Sequence, residues 1–179
     1  MTRSRGVAHR RRRPPGWLRM PQRSTAEYRF ELERALHDGP TIGLSALAIE
    51  LGLISAEAGE SPLAARIDAV REEVCRMVEG LRLLGAAVHP PTLVVGLEPA
   101  WASIAEHHRL RLELDLPNQA LRAEARSRIG LLVADHLRRL EPGTSVLVRV
   151  RGRRFVRVHI TERPRSVRQR DFRAVLRCG

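Results

Sequence analysis

The chain has 179 residues, of which 43% are apolar and only 3% aromatic, and its net charge is +12. That length suits one ordinary domain or two small ones, and the composition implies a core of Leu, Val, Ile and Ala packed largely as helical stripes. Such a charge points toward an anionic partner, whether nucleic acid, acidic protein or membrane surface. All 32 basic residues are arginine, however, a coding bias that makes part of the charge compositional. Cys75 and Cys178 stand far apart without ligand-like neighbours, which excludes a disulfide framework and a zinc knuckle. Cys75 falls within a helical apolar pattern and reads as a small core residue. No stretch approaches the ~20 apolar residues of a membrane span, and no apolar region follows the basic N-terminus as in a secretory signal. A cytoplasmic protein is therefore expected.

Residues 1–23 are arginine-rich, contain Pro14, Pro15 and Pro21, and precede the first acid, Glu27; the pattern predicts a disordered arm. Ser24-Thr25-Ala26-Glu27 fits a capping box that opens a helix running to about Leu53. Tyr28, Leu32, Ala35 and Leu36 lie at helical spacing, and Leu44, Leu47, Leu51 and Ile54 resume the stripe. Between them stands Gly39-Pro40. A proline inside a helix costs about 3 kcal/mol, so a kink beside His37 and Asp38 is expected. Residues 55–62 read as a turn. A second helix over residues 63–84 places Leu63, Ile67, Val70, Val74, Met77, Val78, Leu81 and Leu84 close to a heptad. One hairpin of two such helices cannot bury both stripes, whereas two hairpins from two chains can.

His89-Pro90-Pro91 stops the second helix, and a shorter one follows from Gly96 toward His108. Leu110, Leu112, Leu114 and Leu116 then alternate with charged residues, the period of a strand. A helix over residues 118–140 and two alternating strands around Val146–Val150 and Phe155–Ile160 complete a strand–helix–strand–strand pattern. The tail after Arg163 is basic, with residues 171–176 reading as one more strand or a short helix. The expected fold class is α+β: an antiparallel helical hairpin forming a dimeric four-helix bundle, followed by a small truncated α/β layer. The expected segments are an arm at 1–23, the hairpin at 24–88, a linker with a short helix at 89–109, and the α/β layer at 110–179.

Arg34-Ala35-Leu36-His37-Asp38-Gly39-Pro40 is followed, in order, by Leu81-Arg82-Leu83-Leu84, Val88-His89-Pro90-Pro91-Thr92-Leu93 and Gly96-Leu97-Glu98-Pro99-Ala100. Over about residues 28–105 this succession resembles the sensor histidine kinases whose H-box reads Leu-His-Asp-Gly-Pro. The resemblance implies a dimerisation and phosphoacceptor hairpin, with residues 110–162 similar to the first half of the kinase ATP-binding fold. It departs from the family at three places. Ile42 stands where a glutamine assists dephosphorylation of the partner regulator. His136, with Asp135 beside it, stands where an asparagine holds magnesium. Thr161-Glu162-Arg163-Pro164-Arg165 replaces the Asp-x-Gly-x-Gly loop that reads adenine, and no second Gly-rich loop follows. Phosphoryl transfer from ATP needs those parts, so autokinase activity is expected to be absent, with no cofactor and no metal.

The chemistry of His37 and Asp38 stands without any family. A neutral imidazole is a good nucleophile toward phosphorus near neutral pH, and a neighbouring carboxylate orients it or takes its proton. The leading expectation is a histidine-phosphotransferase-like phosphorelay protein. His37 is the phosphoacceptor, Asp38 its orienting or deprotonating partner, and Leu36, Ile42 and Leu44 the contacts to a response-regulator receiver. A separate kinase subunit is the possible donor, and input is expected through another protein. Two alternatives remain open: a non-catalytic pseudokinase regulating a partner kinase, and a basic nucleic-acid-binding module. The last is disfavoured by the lack of a base-reading motif and by few aromatics for stacking. The remaining histidines read as structural: His107 and His108 close a helix, His89 sits in a turn and His159 points outward from a strand.

Overall fold

The computed structural model describes residues 14–119, 121–165 and 168–178. They fall into two compact units, one built from Pro21–Ile104 with Leu121–Arg139, the other from the described parts of Met1–Met20, Ala105–Ala120 and Leu140–Gly179.

The helical unit begins with α1 (Arg23–Leu36), passes through a five-residue π turn (His37–Thr41) and continues as α2 (Ile42–Ala58). The expected capping box does not form. The helix starts at Arg23 with Gln22 as N-cap and no side-chain cap bond. Glu27 instead takes the Arg23 Nε–H at 2.7 Å, an i,i+4 pair that withholds the carboxylate from the cap. At the far end, Gly59 turns the chain with φ of 60°, a left-handed conformation that glycine adopts without strain. Ser61 then caps α3 (Pro62–Val88), accepting the Ala64 N–H at 3.2 Å, and Pro62 occupies the first turn where its missing N–H costs nothing.

The hairpin of α2 and α3 buries one stripe and leaves another open. Val74 and Val78 are buried, whereas Leu63, Val70, Met77 and Leu84, each seven residues on, are exposed, as are Ile42, Ile49 and Leu53 of α2. Cys75, expected in the core, is exposed; one position past Val74, the helix has turned it about 100° toward solvent. The helical run Arg23–Ala58 spans 36 residues and is long and apolar enough, by length and composition, to cross a membrane. This corrects the expectation that no stretch approaches a span. Glu50 lies inside its apolar part, and a carboxylate in a bilayer core costs several kcal/mol, a penalty that covering the same stripe with another helix avoids.

After α3 come a 3-10 turn (Pro91–Val94), α4 (Leu97–His107) and α5 (Ala123–Leu137). The helix expected over 118–140 is thus shorter at both ends. Three charged side chains organise this part. Arg29 of α1 donates to the carbonyls of Val88 (2.5 Å) and Ala87 (3.3 Å). Arg138, just past α5, donates to those of Ala86 (2.6 Å) and Ala87 (3.0 Å). Both meet Asp135, Arg29 at 2.7 Å and Arg138 at 3.4 Å. The last carbonyls of a helix lack intrahelical partners and carry the negative end of its dipole, so two guanidiniums complete α3 and one carboxylate neutralises them. Trp101 of α4, fully buried, donates its indole N–H to the Gly130 carbonyl at 3.1 Å. Leu93 packs so closely on Gly130 that a β-carbon there would collide with it. These contacts make α5 part of the helical unit, although its sequence lies among the strands.

The other unit is a five-stranded sheet in the order β1-β5-β4-β3-β2, with β1 (Gly16–Trp17), β2 (Arg111–Asp115), β3 (Ser145–Arg151), β4 (Phe155–Arg163) and β5 (Arg170–Arg177). β2 runs parallel to β3 and β1 parallel to β5, while β3–β4 and β4–β5 are antiparallel. Period-2 alternation decides the faces: Val146, Val148, Val150, Val156, Val158, Ile160, Ala174 and Leu176 are buried. Gly152 closes the β3–β4 hairpin at φ of 102°. Gly16-Trp17 corrects the arm expectation for that part of residues 1–23; residues 1–13 lie outside the described residues. The basic tail resolves as β5, a strand rather than a helix.

Asp135→Ala is expected to lower the unfolding free energy by about 1–3 kcal/mol, the range for hydrogen bonds to charged groups left without a partner. Urea denaturation of variant and wild type measures it, and a difference below about 0.5 kcal/mol, the scatter of an ordinary surface change, would show that the three charges do not hold these helices together.

Candidate functional site

Pro40 has no N–H, so the carbonyl of Leu36 loses the donor an α-helix supplies four residues on. The chain answers by widening one turn. His37–Thr41 adopts π geometry, and the buried Thr41 donates its Oγ1–H to the Leu36 carbonyl at 2.7 Å. Ser45 donates in turn to the Thr41 carbonyl at 2.7 Å. Where the sequence predicts a kink, the helix therefore continues through the proline by means of this turn, a feature frequent at functional positions.

His37 and Asp38 open the widened turn. His37 Nδ1 lies 3.1 Å from Asp38 Oδ1, and Arg34 Nε donates to Asp38 Oδ2 at 3.1 Å. A carboxylate only accepts, so in the neutral ring this bond puts the proton on Nδ1 and leaves the lone pair on Nε2. The His37 hydrogen bond, and then that of Arg34, hold the Asp38 carboxyl below its ordinary pKa. At this exposure the pair orients the ring and adds little stability; the His37 side chain is 62% exposed.

Beside the imidazole runs a groove of about 430 Å³, walled by Leu36, His37 and Thr41 on one side and by Leu81, Arg82 and Ala86 of α3 on the other. Arg82 lies 3.8 Å from Glu79 and places a cation in the groove wall, which Glu33 also lines. Of the expected partner contacts, Leu36 lines the groove; Ile42 is exposed and Leu44 half-buried, and neither lines it. The fold thus brings His37, Asp38 and Leu36 together and leaves Ile42 and Leu44 farther along α2. Arg34 and Arg82 stood within the quoted motifs without a role of their own, and Thr41 was not singled out. The i,i+4 spacing of Arg34 and Asp38 was a usable signal, whereas Thr41 and Arg82 required the path of the helix through Pro40 and the pairing of α2 with α3.

Among the described residues, no three His, Cys, Asp or Glu side chains converge as a metal would require. His89, at the end of α3, is buried edge-on against Phe30 at 5.4 Å between ring centres, and its Nδ1 has no hydrogen-bond partner. Burial pushes its pKa down, and the charges of Arg29 and Arg138 push it further.

No protein-family model and no curated protein sequence matches the chain. Among solved structures it is similar to the histidine kinase domain of the Erythrobacter litoralis EL346 blue-light activated histidine kinase: 16% identity, TM-score 0.34, covering 70% of this chain and 73% of that one. It is also similar to a structure of the EL346 blue-light activated histidine kinase, with 14% identity, TM-score 0.30, and coverage of 72% of this chain and 45% of that one. A likeness at this level carries no chemistry, which rests on the side chains of this chain.

His89 generates a pH prediction. Its folded pKa lies below the unfolded value of about 6.5, so the unfolded chain binds more protons between the two. Stability is complete above about pH 6.5 and is lost as pH falls through that value toward the folded pKa. Thermal unfolding of wild type relative to His89→Gln is expected to show a larger loss for wild type between about pH 7 and about pH 5; parallel curves would remove His89 as the cause.

Proposed function

We propose that the chain is a phosphorelay protein of two-component type that carries a phosphoryl group on His37 and passes it to an aspartate of a response-regulator receiver. The observation that carries this reading is the His37 imidazole itself, exposed on a π turn, with Nδ1–H held by Asp38 and Nε2 free beside a groove containing Arg82. In the transfer, the Nε2 lone pair attacks the phosphorus of an acyl phosphate. The P–N bond forms, the P–O bond to the donor aspartate breaks, and that carboxylate leaves with the electron pair. The ring retains its Nδ1 proton and becomes cationic, and Asp38 is placed to stabilise that charge. Arg82 and Arg34 offset the phosphoryl charge, and Leu36 packs against the docking partner. The reverse step delivers the group to the regulator.

Direct use of ATP is not part of the proposal. Asp135, in the segment where the kinase resemblance calls for a metal-holding asparagine, is engaged by Arg29 and Arg138, so a metal there competes with two guanidiniums. The phosphoryl donor in this reading is another protein, either a phosphorylated receiver or a separate kinase subunit. The open stripe of Leu63, Val70, Met77 and Leu84 supports pairing of two hairpins as a homodimeric four-helix bundle. The same stripe suits a second reading, a non-catalytic scaffold that pairs with a partner kinase and does not use His37.

Incubation with a phosphorylated receiver is expected to place acid-labile phosphate on wild type and none on His37→Ala, while ATP with magnesium labels neither. Label taken from ATP would make the chain a kinase, and absence of label from every donor would favour the scaffold. Sedimentation of a Val70→Glu/Met77→Glu variant is expected to shift a dimer to monomer; an unchanged sedimentation coefficient would exclude this face as the dimer interface.

A further inference from the structure

One face of the sheet is buried; the other is buried at Thr161, half-buried at His159 and exposed from Arg157 to Phe155, and it is chemically uneven. Strand register places its residues in rows. Trp17 of β1 pairs with Arg173 of β5, which pairs with His159 of β4 and so with Arg149 of β3. The next row is Val175, Arg157 and Arg151, and beyond it Arg177 stands opposite Phe155. Paired residues project from the same face of a sheet, and the intervening positions are the buried valines and Ile160. Five arginines (149, 151, 157, 173 and 177) and two aromatic rings therefore share one surface. The rings are not core residues: Trp17 is 72% and Phe155 54% exposed.

Three acids share this face at its β2 edge and at one end, Glu113 and Asp115 on β2 and Asp171 on β5. Asp115, on the edge strand β2, pairs with Arg149 and Arg151, and Asp171 lies within reach of His159 and accepts the Thr161 hydroxyl on the opposite side of the central row. Arg157, Arg173 and Arg177 make no ion pair among the described residues. Gly16 explains why Trp17 keeps its place. A β-carbon at Gly16 would come within 2.9 Å of the Phe172 ring, so this short strand lies close on β5 and holds the next residue, Trp17, over the open face.

We propose that this open sheet face binds single-stranded nucleic acid, with Arg157, Arg173 and Arg177 neutralising phosphates and with Trp17 and Phe155 stacking on bases. Guanidiniums alone would suit any polyanion. Exposed rings among them suit a chain with a π face at every repeat, and base–aromatic stacking tolerates any sequence. A duplex keeps its bases stacked inside and offers such a surface its phosphates only, and an acidic peptide offers charge without rings. The ligand is therefore an unpaired DNA or RNA strand, and the site lies in the sheet unit, separate from His37.

The test uses the full chain, labelled oligo(dT) and oligo(U) of about twelve nucleotides, and fluorescence anisotropy between about 50 and 200 mM salt. Combined Arg157→Gln, Arg173→Gln and Arg177→Gln substitutions are expected to weaken binding at least about tenfold. They should also reduce the slope of log affinity against log salt by about 2, near 0.7 for each lost contact. Phe155→Ala and Trp17→Ala are each expected to weaken binding roughly fivefold or more, and the oligonucleotide should quench Trp17 while the buried Trp101 stays unaffected. All these positions are exposed, so thermal unfolding and phosphate uptake on His37 should match wild type. Four results would each overturn the proposal: no measurable binding; equal binding of a duplex; equal competition by poly-glutamate; or full sensitivity to removal of residues 1–13 with none to Phe155 or the three arginines. The last would assign binding to the six arginines of that segment.

Discussion

The helical unit depends on how the C-terminus of α3 is completed. A helix of 27 residues ends with unpartnered carbonyls, and its dipole concentrates negative charge there. Here the missing donors come from outside the helix, Arg29 on α1 and Arg138 after α5, with Asp135 between them. Two guanidiniums side by side repel, and for Arg138 burial is the larger effect, so that its pKa falls below the ordinary arginine value. The shared carboxylate resolves both costs at once. It also ties three helices together, because each arginine reaches carbonyls at the end of α3 while meeting Asp135 of α5. Asp135 is thereby committed to structure.

A second constraint acts at the other end of the hairpin. Pro40 removes one donor from a helix that packs against α3 on both sides of it. A sharp bend would pull one half away from α3. The π turn keeps both halves in place, and the Thr41 hydroxyl supplies the missing hydrogen bond. His37 stands on the first residue of this turn and Thr41 on the last, so the device that repairs the backbone also fixes the ring that carries the proposed chemistry.

Local pattern revealed the elements that arise from local pattern. The helical spacing on both sides of Pro40, the turn before Pro62, the stop at His89-Pro90 and the alternation of β3 and β4 were all legible, as was the adjacency of His37 and Asp38. What escaped depends on partners remote in sequence. Gly16-Trp17 is a strand only because β5 lies beside it, and no two-residue stretch among arginines and prolines announces that. Glu27 satisfies a capping-box spacing, yet Arg23 takes its carboxylate first. Cys75 continues an apolar run but turns outward. The helix α5 reads as the crossover between two strands, while its polar contacts to α1, α3 and α4 group it with the helices. Of the heptad, Leu63, Val70, Met77 and Leu84 form an open stripe on the hairpin.

Glycines around His37 add a last constraint. A glycine in a helix interior costs roughly 0.5–1 kcal/mol relative to alanine, and neither Gly39 nor Gly43 has a positive φ to justify it. A β-carbon at either position would meet nothing within 4 Å, so packing inside this chain does not require them. The cost of these two glycines in helix propensity is therefore not offset by packing within the chain.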